Sequence, residues 1–213
     1  MSDSTTARRG YHHGDLRARL VHEGLELLAE AGVSGFSVAK VAARAHVSSA
    51  APYRHFPDRE SLLAACATVV VGRLADRMAE AADAAGDDPV ERLAATAGAY
   101  ARYVAEGRVG MELLFAPGFH EPRFRDLHEG TRKFFDTLLP LVVAASGSDE
   151  FAGAMDLLEA HVSLAHGYAT VLIQGSYPTA GRRPEDLTAP ATEAARNLIT
   201  GERLRHAAPP AAL

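Results

Sequence analysis

Residues 35–63 read GFSVAKVAARAHVSSAAPYRHFPDRESLL, and their punctuation is that of short helices in quick succession. Ser37 is a good N-cap, since its hydroxyl can accept from an orphan N–H of the first helical turn. Phe36 and Val41 occupy the two places of a hydrophobic staple around it. A helix is therefore expected from about Val38. Its apolar residues Val38, Val41, Ala42 and Ala45 follow three-four spacing and leave Lys40, Ala43 and Arg44 outward. Only His46 and Val47 separate Ala45 from Ser48, the next N-cap, so the pattern is helix, three-residue turn, helix, the helix-turn-helix spacing. The second helix is expected over Ser49–His55. Ser49, Ala50 and Ala51 are small enough for close entry into a major groove, and Tyr53, Arg54 and His55 can reach phosphates or base edges.

The segment AKVAARAHVSSAAPYRHFPDRESLLAA resembles the DNA-binding segment of TetR-type transcriptional regulators. The usual form of that segment is an Ile/Val-Ala pair, Gly-Val-Ser, four variable residues, Tyr-x-x-Phe and a Lys/Arg-Glu helix start. Val41, Ala42, Ala45, Val47, Ser48, Tyr53, Phe56, Pro57, Arg59, Glu60 and Leu62 match it. Two residues depart from the pattern. His46 stands where the family often has Gly, and His accepts a left-handed conformation better than most side chains. Pro52 falls in the first turn of the recognition helix, where a proline is expected to be tolerated. The resemblance implies a double-stranded DNA operator as partner, with Ser37, Lys40, Arg44, Ser48, Ser49, Ala50, Ala51, Tyr53, Arg54, His55 and Arg59 as candidate DNA-contacting residues. YHHGDLR, APYRHF and Ala165-His166-Gly167 also look like a subgroup whose C-terminal domain bears a Trp and then a His-Gly pattern; this chain has no Trp.

The chain of 213 residues can bury a sizeable core in one or two domains. Its 47% hydrophobic and 23% charged content is that of a globular protein. One cysteine, Cys66, allows no intrachain disulfide and suits a reducing compartment. The polar start MSDSTTARRG and the lack of any apolar run near 20 residues point to a cytoplasmic protein without a membrane partner. The net charge of −5 is unevenly distributed. Residues 1–60 hold eight Lys/Arg against seven Asp/Glu, the remainder 14 against 20, as for a nucleic-acid head on an acidic body. Arg8 and Arg9 could serve as an arm over DNA or stay a solvated tail.

The remaining pattern is helical throughout. Asp15 caps a helix expected to stop at Gly32. Asp58 caps a long one reaching Gly86, and Asp88-Pro89-Val90-Glu91 opens another that reaches about Glu106. Met111–Phe115 suggests a short helix. Pro122 opens a further one that Pro140 should kink or end. Ser148 caps an apolar helix to about Gln174, and Thr188 with Pro190 starts the last, to about Leu204. The expected fold is all-α, with a three-helix helix-turn-helix domain over residues 11–60 and a helical effector-binding and dimerisation domain over 61–205.

The penultimate helix is apolar on more than one face, which asks for burial on two sides. The stripe Ala191, Ala194, Ala195, Leu198 and Ile199 of the last helix suggests that one side is a homodimer interface. The resemblance implies the same, since TetR-type proteins dimerise through their last two long helices. It also implies a ligand pocket among the C-terminal helices, for which Tyr100, Tyr103, Met111, Phe115, Phe119, Phe134, His161 and Tyr168 are candidates. Such residues at helical spacing also build ordinary cores. The effector is expected to be mainly apolar, with one or two polar groups.

His120, Glu121, Asp126, His128 and Glu129 lack HExxH spacing and are interleaved with Arg123, Arg125 and Arg132, so they read as a solvated face and no metal is expected. No phosphate loop, GxSxG elbow or Cys/His nucleophile pair appears, so neither an enzyme nor a cofactor is expected. The leading reading is a ligand-responsive DNA-binding regulator, most simply a repressor. The alternative is a helical ligand-binding or interaction protein that keeps the three-helix unit without reading DNA.

Overall fold

The computed structural model describes residues 13–107, 121–148, 150–174 and 183–207. Arg8, Arg9, Met111, Phe115, Phe119 and His120 lie outside them. Among the described residues the fold is all-α: α1 (His13–Gly35), α2 (Val38–Arg44), α3 (Arg59–Ala84), α4 (Pro89–Gly107), α5 (Arg125–Ser146), α6 (Phe151–Gln174) and α7 (Thr188–Ala207). Short 3-10 turns stand at Pro52–Arg54, Pro122–Phe124 and Pro184–Leu187.

Three caps are those the sequence announces, but Asp15 is not one, since α1 begins two residues before it at His13. The Ser37 hydroxyl accepts from Lys40 N at 3.2 Å, the Asp58 carboxylate from Ser61 N at 2.7 Å, and Asp88 from Val90 N at 2.7 Å. The first helix departs from the expected stop. Gly32 takes φ 63° and ψ −176°, which breaks the helical backbone, but a further helical turn follows to Gly35. Pro140 does not end α5, which runs on to Ser146 and closes on left-handed Gly147.

The second helix of the motif is the main correction. Ser49–His55 does not form a continuous α-helix; Ser48–Ala51 is a turn, and only Pro52–Arg54 is helical, as a 3-10 turn. Pro52 has no N–H to return to Ser48 and its ring crowds that carbonyl, so the ladder cannot start where the sequence suggested. Three-residue bonds replace it, Ala51 N to Ser48 O at 3.0 Å and His55 N to Pro52 O at 2.9 Å. The turn before it does take the left-handed form: His46 has φ 53°, the one positive φ outside glycine among the described residues.

One continuous apolar core runs from Leu20 of α1 to Ile199 of α7. α3 belongs to both ends of it. Its first turns bury Leu62, Leu63 and Cys66 beside α1, and its later turns bury Leu74, Met78 and Ala82 in the body. At 26 residues it is about 39 Å long. α4 is the central helix of the body, packed against α3, α5, α6 and α7. The contact with α7 is closest at Gly98, where a Cβ would stand 2.3 Å from the Thr192 hydroxyl and 2.7 Å from the Thr188 carbonyl oxygen.

That contact uses much of the stripe expected at a subunit face. Ala191, Ala195 and Ile199 are fully buried within the protomer, and Leu198 is half-buried against the core. The small side chains of the stripe serve the approach of α7 to α4. The large apolar residues left exposed are instead Phe151 and Met155 on α6, Leu204 on α7, and Phe135 and Val143 on α5.

Candidate nucleic-acid interface and ligand-binding core

The α2 turn presents Lys40, Ser48, Ser49, Ala50, Tyr53 and Arg54 at the surface, with Ala51 and His55 half-buried beside them. Tyr53 is 55% exposed although it is a large aromatic residue, which suits a contact made outside the protomer. Lys40 donates to the Gly35 carbonyl at 3.0 Å, and Ser37, Arg44 and Arg59 are also held by the protein. Ser37 is the cap of α2. Arg44 turns back to α1, where its guanidinium makes a two-pronged bond to Glu30 at 2.7 and 3.0 Å and reaches Glu23 at 3.3 Å. The Arg44 bond holds the Glu30 carboxyl below its usual range. Arg59 donates to Val33 O at 2.6 Å and Phe36 O at 3.2 Å, and lies over the Phe36 ring. These two arginines fasten α1, α2 and α3 to one another.

The seam between reader and body is built from both sides. Asp58 accepts the Ser61 hydroxyl at 2.6 Å and its backbone N–H on one oxygen, while the other oxygen takes Arg123 from the Pro122–Phe124 turn at 2.5 Å. Ser61 first, and then Arg123, hold the Asp58 carboxyl below its ordinary range. Arg123 also reaches Glu121 at 2.8 Å and stacks on Phe124. A small cavity of about 170 Å³ lies here, with His55, Phe56 and Arg17 of the reader facing Arg123, Phe124 and Leu127 of the body. Sequence reading missed Arg123 as a partner of Asp58, because sixty-five residues separate them and Arg123 sits in no motif.

Five of the candidate ligand-lining residues are described. Tyr100, Phe134 and His161 are buried, and Tyr103 and Tyr168 are half-buried. They do not converge on one chamber. Tyr103 lines a groove of about 420 Å³ with Arg77, Arg102 and Thr192, while Tyr168 packs with Ala101, Ala105, Leu187 and Ala191. Tyr100 and His161 share the seam between α4 and α6. His161 Nε2 lies 2.8 Å from the Thr96 hydroxyl, and Tyr100 OH lies 3.3 Å from Nδ1 of His166, whose Nε2 lies 3.1 Å from the Thr170 hydroxyl. The partners Thr96, His166 and Thr170 were not singled out as pocket residues in the sequence. The four-residue step from Thr96 to Tyr100 is the signal that one face of α4 receives both histidines.

A helix-turn-helix head whose core runs on through one long helix into a helical body is the architecture of a DNA-binding transcriptional regulator. The chain belongs to the TetR family. The family described as "Bacterial regulatory proteins, tetR family" matches residues 20–66. The chain is 32% identical over 162 residues to the HTH-type transcriptional regulator BetI of Burkholderia thailandensis, covering 71% of this chain and 83% of that one. A protein of unknown function from Rhodococcus sp. RHA1 superposes with a TM-score of 0.70 at 28% identity, covering 89% of this chain and 98% of the other. The regulator FadR from Bacillus subtilis, solved with stearoyl-CoA, shares the fold at a TM-score of 0.65 and 17% identity, covering 86% and 98%.

Proposed function

We propose that this regulator is a cytoplasmic homodimeric repressor that binds a palindromic operator and releases it when a small, mainly apolar effector enters the body. The observation that carries the reading is α3, a single helix whose first turns complete the reader's core and whose last turns lie in the body's. Two readers must stand about 34–36 Å apart to enter successive major grooves, so a modest displacement of α3 loses one half-site. A palindrome follows from the two-fold symmetry of a dimer. An effector is supported by proteins of this fold solved with stearoyl-CoA and with resorcinol, at 17% and 18% identity. A ligand that prefers the DNA-incompetent spacing shifts the population toward it, and DNA must weaken that ligand by the same factor. Footprinting on the DNA upstream of the gene locates the operator. Effector affinity is then measured with and without that operator. The reading expects weaker binding with it; equal affinities overturn the switch.

A further inference from the structure

Two grooves border α3, and their charged side chains are used differently. In the groove of about 420 Å³ beside α4 and α7, Arg77 pairs with Glu80 at 3.3 Å and Arg102 with Glu106 at 2.6 Å, so each guanidinium has its carboxylate. The other groove, of about 330 Å³, lies between α1 and α3. Its floor is apolar, with Val21, Leu25, Ala65 and Val69, and its rim carries Arg17, His22, Arg73 and Asp126. Neither of these arginines is in an ion pair among the described residues. Arg17 lies over the Phe56 ring, 5.3 Å from its centroid. Stacking occupies the face of the planar group and leaves the N–H donors in its plane unspent. Thr68 donates its hydroxyl to the Ala64 carbonyl at 2.8 Å, so towards the groove it can only accept. Two guanidiniums against one carboxylate leave one positive charge above an apolar floor.

We infer that the groove between α1 and α3 binds a monoanionic amphiphile, an organic acid whose carboxylate meets the unpaired guanidiniums and whose apolar frame lies on Val21, Leu25, Ala65 and Val69. The groove has the size of a small-molecule site. A guanidinium matches a carboxylate in shape as well as charge, and the floor gives the frame a surface on which to leave water. A cation would meet two arginines with one carboxylate to receive it. The site is distinct from an effector pocket in the body, because its walls are α1 of the reader, α3 and the first turn of α5. Arg17, Ala65, Thr68 and Asp126 also line the small cavity at the Asp58–Arg123 seam, so the groove adjoins that joint. An occupant therefore touches reader and body together, through Arg17 on one and Asp126 on the other.

The full-length protein, labelled at its Val and Leu methyl groups, is titrated with 4-phenylbutyrate, with the neutral 4-phenyl-1-butanol and with acetate, and followed by NMR. The acid is expected to shift the methyl signals of Val21, Leu25 and Val69 and to bind about threefold more tightly than the alcohol, the size of an exposed charge pair. Acetate, which has the charge without the frame, should bind at least roughly tenfold more weakly than 4-phenylbutyrate. Arg73→Gln, at an exposed position on α3, should bring the acid down to the level of the alcohol. Should that variant not fold, the Nε–H signals of Arg17 and Arg73 in the native protein decide: they move with the acid and stay with the alcohol. An alcohol or an acetate that binds as tightly as the acid overturns the inference, as does a preference that survives Arg73→Gln. Shifts confined to Leu157 and Leu158 overturn it too, and would place the ligand in the body, in favour of the effector reading. No shift at any methyl group removes the groove site and leaves that reading to its own test.

Discussion

Burial of His161 makes its protonation a stability question. Unfolded, the ring titrates near its ordinary 6.5; folded, burial holds it near 4. Between those values the unfolded chain takes up a proton that the native protein refuses, so acidification through this window favours unfolding, by up to about 3 kcal/mol. His161→Phe should flatten that part of the pH–stability curve relative to the native chain, as read by chemical denaturation from pH 7 to pH 4. An unchanged slope would mean that the imidazole is charged in place. At the reader, Tyr53→Phe and His55→Ala are expected to weaken binding to all DNA sequences alike, by about 1 kcal/mol each, as phosphate contacts do. Substitutions at Ser49 and Ala50, exposed on the turn, should change which sequence is preferred. Competition with mutated operators distinguishes the two patterns, and the reverse result would place the turn differently in the groove.

Element by element, what could be read in advance was whatever is decided locally. Ser37, Asp58 and Asp88 cap their helices because a cap needs only its own next three residues. His46 takes the left-handed turn for a similarly local reason. The recognition segment departs from the expected α-helix because tolerance of Pro52 depends on bonds elsewhere in the segment, and it has too few of them to hold an α-helix around the proline. Arg44 and Arg59 looked like outward cations because Glu30 and the Val33 carbonyl are brought to them only by the packing of α1. Asp58→Ala should cost about 1–2 kcal/mol in thermal or urea unfolding, since it removes a cap and the partner of Arg123 together. Asp58→Asn, which can still cap, should cost less than half as much; equal losses would show that the ion pair outweighs the cap. Gly98→Val should cost about 1–3 kcal/mol, because the added carbons meet the Thr188 backbone carbonyl as well as the Thr192 hydroxyl. A neutral result would show that α7 can lift from α4.

At the scale of the whole molecule, the stripe expected to form a subunit interface is largely used inside the protomer. Small residues mark a close approach but not which neighbour makes it, and here the neighbour is α4. The faces left for a second protomer carry Phe151, Met155 and Leu204. They lie at one end of the body, since the start of α6 meets the end of α7 where a Cβ on Gly153 would approach His206 at 3.2 Å. Phe151→Glu combined with Leu204→Glu should dissociate the dimer at concentrations where the native chain sediments as one, because burying unpaired carboxylates there costs several kcal/mol. An undisturbed dimer would move the interface elsewhere.

The opening turns of α3 set a rule for anyone building hybrids from this protein. A splice placed directly after Phe56 would look tidy on paper, yet it would hand the reader a foreign helix in place of Leu62, Leu63 and Cys66, the last of which lies so near Gly24 that a Cβ there would stand 2.8 Å from its sulfur. It would also separate Arg59 from the Val33 and Phe36 carbonyls it ties together. A hybrid that keeps the native chain through Ala67 retains the reader's own packing, and its weak point becomes the charged joint between Asp58 and Arg123. Donor bodies are therefore best chosen for a guanidinium at that place, whatever effector they recognise.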